Sequence, residues 1–399
     1  MTPDLRSLAR QFAINGHFRE ACPYGAGHIN DTYRVTCDAG AGPARYILQR
    51  INHHVFKDPA RLMENLLRVT AHLRQRLRAA GCTDLSRRVL RVIGTPDQTP
   101  YYQDPDGNFW RAFPFIEDAT SVEVPDSLDP IRQAAKAFGR FEALLADLPG
   151  PPLHETIPDF HNGAKRYDAF LKVLAADPCN RAALARHEID FLLRHAALPE
   201  APAGLAGQGR IPVRVTHNDT KINNVLLDRT TGEGICVIDL DTVMPGLSLY
   251  DFGDIVRTAA GTAAEDEPDL AKVHLRMDRF EVIVHGFLAG AASSLNRCEV
   301  EHLVLGGQFM TLAQGLRFLT DFLQGDTYYK VHRPGHNLDR CRVQLRLVQH
   351  MIDHQEQMEQ IVRRGAPSTP YGPTTSNPDS RPDCESPPTH TRNIPGSTT

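Results

Sequence analysis

The run His217-Asn-Asp219-Thr-Lys-Ile-Asn-Asn224 gathers hydrogen-bonding and ionisable groups in one place, and Ile238-Asp239-Leu-Asp241 ends a later apolar stretch on two carboxylates. Between them, Val225-Leu-Leu227, a Thr-Thr-Gly-Glu-Gly turn and Ile235-Cys-Val-Ile238 read as a hairpin. One strand leads away from Asn224 and the other returns to Asp239, so the two motifs meet at one end of it. An amide oxygen and a carboxylate at that point suit a hard, oxygen-liganded cation, with Mg²⁺ the usual choice where phosphates supply the remaining ligands. Asp219, about one turn upstream, stands free to orient or deprotonate an incoming hydroxyl, and phosphoryl transfer is the chemistry that fits. Taken singly, Asp219 or Asn224 reads as a turn or cap residue and Asp241 as a solvated loop acid. The combination, with Asp239 following Asp219 by 20 residues, carries the reading. Downstream, Asp251 in Tyr250-Asp251-Phe-Gly-Asp254 reads as a buried brace rather than a ligand.

A second candidate is the turn Gly25-Ala-Gly27-His28-Ile-Asn30, whose backbone amides could close over phosphates. Glycines between antiparallel strands are equally ordinary turn chemistry, so the turn alone does not establish a nucleotide role. The chain has no GxxxxGK[ST], no GxGxxG after a parallel strand, no HExxH and no GxSxG, which removes the P-loop, dinucleotide, zinc-protease and serine-hydrolase readings.

The elements that must position these residues fall into two patterns. In the first third, Phe18–Cys22, Tyr33–Cys37 and Tyr46–Ile51 read as a three-stranded antiparallel meander. Asp58 is a good N-cap with Pro59 behind it, and Leu62, Leu66, Val69, Leu73 and Leu77 form one apolar stripe before Gly81. Val89–Ile93 and Phe109–Ile116 read as two further strands. From about residue 128 the pattern turns helical, with candidates at 128–147, 163–175, 180–196, 268–295, 299–324 and 337–363, interrupted by one short β segment over 213–239.

With 399 residues, 41% apolar, 23% charged and a formal net charge of −4, the chain has an ordinary soluble balance, which argues against nucleic-acid binding and against a polybasic membrane surface. No apolar run approaches the roughly 20 residues of a membrane span, and the N-terminus lacks the apolar stretch of a secretion signal, so a cytoplasmic location is expected. The 8 scattered cysteines, without a CxxC pair, read as reduced thiols. Residues 365–399 hold 8 of the 29 prolines and, among Val, Ile, Leu, Met and Phe, only Ile394; a disordered tail dispensable for chemistry is expected.

The segments HNDTKINN, IDLDT and YDFGD resemble the catalytic loop, metal-binding segment and following brace of the aminoglycoside phosphotransferase and choline kinase superfamily, over about residues 15–362. The wording GAGHINDTY, ILQRIN, FIEDA, THNDTKINNVLLD, VIDLDTVMPG, LYDFGD and QGLRFLTDFLQGDTYYK is most similar to the N-acetylhexosamine 1-kinases, which move the γ-phosphate of ATP to the anomeric hydroxyl of N-acetylglucosamine or N-acetylgalactosamine. The resemblance implies an α+β, bilobal protein kinase-like fold, with a small β-rich, nucleotide-binding N-lobe over 1–115 and a larger, mostly helical lobe for catalysis and acceptor binding over 116–364. It implies ATP and Mg²⁺ as cofactors and a sugar as substrate. Position by position, Asp219 matches the catalytic base, Asn224 and Asp239 the Mg²⁺ ligands, and Gly25, Gly27, His28 and Asn30 the loop over the phosphates. Phe113 to Glu117, with Phe115 and Glu117, fall where adenine is contacted, and His28, Asp31, Arg317 and Tyr328 match positions on the sugar side.

One departure stands out. Where most of the superfamily has a lysine on the third strand to hold phosphates, Tyr46-Ile-Leu-Gln49 offers a neutral glutamine, and Glu64 on the following helix loses its customary partner. The phosphate charge is then left to Mg²⁺, loop amides or a neighbour such as Arg50. The competing readings are a kinase of the same fold for homoserine, choline, an aminoglycoside or another sugar, and a nucleotide-binding scaffold without turnover.

Overall fold

A computed structural model describes residues 3–366, apart from 26, 28, 41 and 292. A short helix α1 (Leu5–Ala9) leads into the expected meander, β1 (His17–Pro23), β2 (Asp31–Asp38) and β3 (Pro43–Ile51), paired antiparallel throughout. Helix α2 (Pro59–Ala79) also begins where expected. The Asp58 side chain accepts the Arg61 N–H at 3.1 Å, Pro59 occupies the first turn, and the five apolar residues of the stripe are all buried. After the single turn α3 (Leu85–Arg88), strands β4 (Tyr102–Gln103) and β5 (Phe109–Pro114) complete a five-stranded sheet in the order β1-β2-β3-β5-β4.

Val89–Ile93, expected as a strand, is not one. Ile93 makes a lone bridge to Ala112, while the Arg74 guanidinium takes the Val89 and Leu90 carbonyls at 3.4 and 3.3 Å, so those acceptors are satisfied without a ladder. The edge strand is formed by Tyr102–Gln103 instead. Asp104 folds the chain back onto β5 by accepting the Asn108 N–H and the Trp110 Nε1–H, both at 2.8 Å.

Strand β6 (Ala119–Thr120) already belongs to a second sheet. Helices α4 (Asp129–Leu145), α5 (Gly163–Ala176), α6 (Arg186–Arg194) and α7 (Ala201–Gly207) precede β7 (Arg214–Thr216). Strands β8 (Val225–Asp228) and β9 (Gly234–Val237) form the expected hairpin, with Val225 opposite Val237 and β6 on its outer side. β7 pairs not with this hairpin but with β10 (Met244–Gly246), a strand the periodicity does not reveal. The remaining helices are α8 (Ser248–Ala259), α9 (Met277–Ala291), α10 (Arg297–Glu301), α11 (Leu303–Leu323), α12 (His336–Asp353) and α13 (Gln355–Gly365).

Four helical expectations need correction. The 180–196 helix starts only at Arg186, after a 3₁₀ turn over Ala182–Ala185. The 268–295 helix starts at Met277, because the Thr262 N–H donates to the His274 carbonyl, the His274 N–H donates to Thr262 Oγ1, and Gly261 bridges Leu275, which ties this segment into a loop. The 299–324 helix divides at His302, its first part started by a reciprocal cap between Asn296 and Glu299. The 337–363 helix divides at His354. The proposed tail lies, from residue 367 onward, outside the described residues.

Two cores matter for the site. One packs α4, α8, α9 and α11 around Phe138, Phe252, Phe287 and Leu303. The other joins the lobes, since Leu62, Leu66 and Leu73 of α2 share a cluster with Phe141 and Leu145 of α4 and with Leu240 and Val243 beside Asp239. No helix among the described residues is long and apolar enough to cross a membrane.

Candidate functional site

The β8–β9 hairpin brings its two polar ends together: the Ile238 N–H donates to the Asn224 carbonyl at 2.9 Å. The loop before it is held rigidly. Asn218 sits in the left-handed region with φ 64, its N–H donating to Asp251 at 2.6 Å, and the His217 N–H donates to the same carboxylate at 2.7 Å. Thr220 Oγ1 donates to the Asp251 carbonyl at 2.6 Å. The brace reading of Asp251 therefore describes its geometry. As the Nε2–H tautomer, His217 donates to the Ile238 carbonyl at 2.9 Å and accepts the Asp219 N–H at 3.3 Å. Asn218 Nδ2 reaches the carbonyls of Thr216 and Thr242, tying the loop to β7 and to the turn after Asp239.

Asn224 Nδ2 donates to the Asp219 carbonyl at 2.9 Å and to its carboxylate at 3.2 Å, which leaves the Asn224 Oδ1 without a protein partner among the described residues. The Asp239 carboxylate accepts no hydrogen bond from the described residues either. It follows a left-handed backbone, φ 57, that turns the chain sharply into Leu240–Thr242. Solvent reaches Asp239 from the cleft, yet the surrounding protein, and then the charges of Asp241 and Asp219, push its pKa up to about 6. An unneutralised carboxylate beside a free amide oxygen fits a hard divalent cation. No group of three or more His, Cys, Asp or Glu among the described residues forms a cage of its own, so such a cation would draw its other ligands from phosphate and water.

Burial pushes the Asp219 carboxyl up, but the Lys221 ammonium at 2.9 Å, with help from Arg257, outweighs it and holds the group below the ordinary carboxylate range. Asp219 is thus ionised and able to accept a hydroxyl proton's hydrogen bond. Lys221, in turn, is held protonated by Asp219 and Asp254 against its own burial.

The Gly25–Asn30 turn joins β1 to β2, with Gly25 at φ 79 and Gly27 exposed; His28 lies outside the described residues. Asn30 is already engaged: its Nδ2 donates to Asp241 at 2.7 Å and its Oδ1 accepts the Asn52 N–H at 2.9 Å. Its side chain pins the turn to the segment after Asp239. Gln49 lies directly opposite Arg111 across β3 and β5, and its Oε1 accepts from Arg111 Nε at 2.9 Å and Nη2 at 2.6 Å, while its Nε2 donates to Thr32. Arg111, 2% exposed, also grips Asp241 through both Nη atoms at 2.5 and 2.9 Å. Arg50, weighed from sequence as a phosphate neighbour, is paired with Asp31 on the surface. Glu64 pairs with His154 at 2.9 Å.

At the connection between the lobes, the Phe115 N–H is spent on the Arg45 carbonyl and the Glu117 carbonyl on Arg87, while the Glu117 carboxylate pairs with Arg45 on the surface. The Phe115 carbonyl and the Glu117 N–H have no protein partner among the described residues, and Tyr24 packs edge-on to Phe115 at 5.5 Å. One free acceptor and one free donor beside aromatic rings are what a planar nitrogenous base takes up.

On the other side of Asp219, His161 accepts no charge partner but hydrogen-bonds the Asn218 carbonyl at 3.0 Å, and burial lowers its pKa to about 4. Arg317 lies 5.9 Å from the Tyr328 ring and 5.4 Å from that of Tyr329, with Nη1 on Gln314. Arg166, bound to the Phe160 carbonyl, has its pKa lowered to about 10, first by burial and then by the Arg317 charge. Neither arginine has a carboxylate within ion-pair distance among the described residues. Sequence reading named Arg317 and Tyr328, the latter 71% exposed here, and did not single out His161, Arg166, Lys221 or Arg111. Lys221 lay inside the motif, and Arg111 is the one charge within the apolar run Phe109-Trp-Arg-Ala-Phe-Pro-Phe115.

Residues 20–281 match the phosphotransferase enzyme family APH, a span that includes Asp219, Asn224 and Asp239 but stops short of Arg317 and Tyr328. Among solved structures, an aminoglycoside phosphotransferase from Alicyclobacillus acidocaldarius aligns with 90% of this chain and 97% of its own, at a TM-score of 0.56 and 13% identity. A microcompartment-associated aminopropanol kinase aligns with 89% and 98%, at 0.52 and 17% identity. A choline kinase from Cryptosporidium parvum aligns with 90% and 96%, at 0.51 and 13% identity. At these identities the likeness is one of fold, and it is that of the bilobal kinase-like architecture.

Proposed function

The chain belongs to the phosphotransferase enzyme family, and from that premise we propose that it is an ATP-dependent small-molecule kinase whose acceptor is a neutral sugar, the anomeric hydroxyl of an N-acetylhexosamine. The observation that carries the acceptor class is the pair Arg166 and Arg317, two guanidiniums without carboxylate partners on the far side of Asp219. Such a pocket repels aminoglycosides, choline and amino alcohols, which are cations, and donates hydrogen bonds to hydroxyl and carbonyl oxygens. The choice of N-acetylhexosamine among neutral acceptors rests on the resemblance of GAGHINDTY, ILQRIN and QGLRFLTDFLQGDTYYK.

In this reading the N-lobe, residues 1–115, covers ATP, and residues 116–364 supply the catalytic groups. The Phe115 carbonyl and Glu117 N–H meet adenine. Asn224 Oδ1 and Asp239 hold Mg²⁺, which when bound neutralises phosphate charge. Asp219, ionised, orients the sugar hydroxyl and accepts its proton as the phosphoryl group transfers in line. Lys221 beside it keeps that carboxylate ionised and adds positive charge near the transferring group.

The test is Mg²⁺-dependent ADP release with N-acetylglucosamine, N-acetylgalactosamine, glucose, homoserine, choline and kanamycin in parallel. An N-acetylhexosamine is expected to stand out and to yield an acid-labile 1-phosphate. Preference for choline or kanamycin would overturn the acceptor assignment, and silence across the panel with ATP bound would leave the scaffold reading in its place. Asp219→Asn is expected to lower turnover by about 10²- to 10⁴-fold while ADP still binds.

A further inference from the structure

The motif Ile238-Asp239-Leu-Asp241 offers two carboxylates within three residues, and the fold treats them oppositely. Asp241 is 1% exposed and accepts three hydrogen bonds, two from Arg111 and one from Asn30, while Asp239 accepts none from the described residues. The backbone of the same turn is fastened on both sides. Thr156 Oγ1 donates to the Asp241 carbonyl at 2.6 Å, and Asn65 of α2 donates to the Val243 carbonyl at 3.3 Å. Arg111 is itself fixed: β3 sets Gln49 opposite it, and the Gln49 Oε1 takes two of its five N–H groups.

We propose that Arg111 is the positioning residue of the metal-binding turn: its fork neutralises Asp241 and anchors the turn to the N-lobe sheet, so that Asp239 alone presents a free carboxylate to the cation. This inference rests on the phosphotransferase reading. A buried ion pair adds little net stability compared with apolar packing, and its best-attested use is to select one arrangement over its competitors. Here the competitor is a turn in which Asp241 swings toward the cation. The planar guanidinium matters because it spans both Asp241 oxygens and the Gln49 amide at once, which a lysine ammonium cannot do. The same contact explains why the glutamine at 49 and the displacement of Glu64 onto His154 are compatible with an assembled site: the strand-to-cleft link runs through β5 instead of from β3 to α2.

Arg111→Lys keeps the charge and loses the fork, and Gln49→Ala keeps the ion pair and loses its support. Both are expected to raise the Mg²⁺ concentration for half-maximal ATP turnover by about tenfold or more, the usual effect of removing a group that orients a metal ligand. The same loss is expected in the Mg²⁺-dependent gain in ADP affinity, read by calorimetry without any turnover. Acceptor KM should stay within about twofold, because Arg111 and Gln49 share no hydrogen-bond partner with Arg317. Melting temperature and circular dichroism show which variant is folded; if Arg111→Lys is not, Gln49→Ala reads the same quantity. A folded variant with wild-type Mg²⁺ dependence in both assays overturns the inference alone. A wild-type protein whose ADP binding ignores Mg²⁺ overturns the phosphotransferase reading and the inference with it.

Discussion

Arg317 and Arg166 lie near each other beside Tyr329, and burial first, then the Arg317 charge, lowers the pKa of Arg166. Both side chains are held within the free protein, Arg166 by the Phe160 carbonyl and Arg317 by Gln314 and the tyrosine rings, and under the proposed function they would donate hydrogen bonds to a ligand rich in oxygen. Arg317→Met is therefore expected to raise the KM for a sugar acceptor about ten- to a hundredfold, the worth of a hydrogen bond to a charged group, with the KM for ATP unchanged. Initial-rate kinetics with each substrate varied in turn check this. An equal rise in both constants would place Arg317 in the scaffold. At this scale the sequence was legible where chemistry clusters along the chain: Asp219, Lys221 and Asn224 lie within six residues of one another. It was illegible where chemistry converges from distant segments, as Arg166 and Arg317 do from α5 and α11.

The loop that carries Asp219 depends on β10, a three-residue strand with little in its sequence to announce it. Gly246 pairs with Arg214 there, and a Cβ built on it would lie 2.1 Å from Thr216 Oγ1 and 2.7 Å from Asn218 Oδ1. Those two groups hold the left-handed turn at Asn218. Gly246→Ala is expected to cost about 1–3 kcal/mol of stability, the range of overpacking, and to lower kcat more than KM by displacing Asp219. Urea unfolding and steady-state kinetics measure the two effects separately. Helix α2 shows the opposite case, since its cap, its first-turn proline and its apolar stripe all act within one segment, and the expected and observed boundaries agree at the start. The failed strand at Val89–Ile93 shows why local pattern is insufficient: a β-like composition cannot pair when Arg74 already occupies its carbonyls.

Beneath the site the molecule buries several carboxylates together. Glu142 on α4 accepts a hydrogen bond from Ser248 at 2.5 Å and is 2% exposed; burial, then the Asp251 charge, raise its pKa well above the carboxylate value of 4.5. Asp251, raised chiefly by burial to about 6, shifts in the same sense. Groups that keep a proton in the folded protein but lose it in the unfolded chain stabilise below the unfolded pKa, and that contribution disappears as pH rises through the folded pKa. The contribution of Glu142 and Asp251 to the unfolding free energy is therefore expected to fall as pH rises above about 4.5, against the gain that the buried neutral His161 brings over the same range, and Glu142→Gln, which cannot ionise, to tilt the slope toward a rise with pH. Urea titrations across that range decide it; parallel slopes would remove Glu142 from the account.

What the sequence by itself determined is whatever short-range geometry dictates: the β1–β3 meander, the start of α2, the β8–β9 hairpin, and therefore the meeting of Asn224 with Asp239. Those contacts depend on alternation, capping and turn chemistry over a few residues, and any compact fold of this chain would contain them. The tertiary structure alone decided which of two neighbouring carboxylates is left free and what Gln49 is bound to. Arg111 and Asp241 are 130 positions apart, and Asn30 and Asp241 are 211 apart. Only the packing of the five-stranded sheet against the Leu240–Thr242 turn brings them within hydrogen-bond distance, because side-chain pairing at such separations is set by how whole elements dock rather than by anything written nearby in the chain.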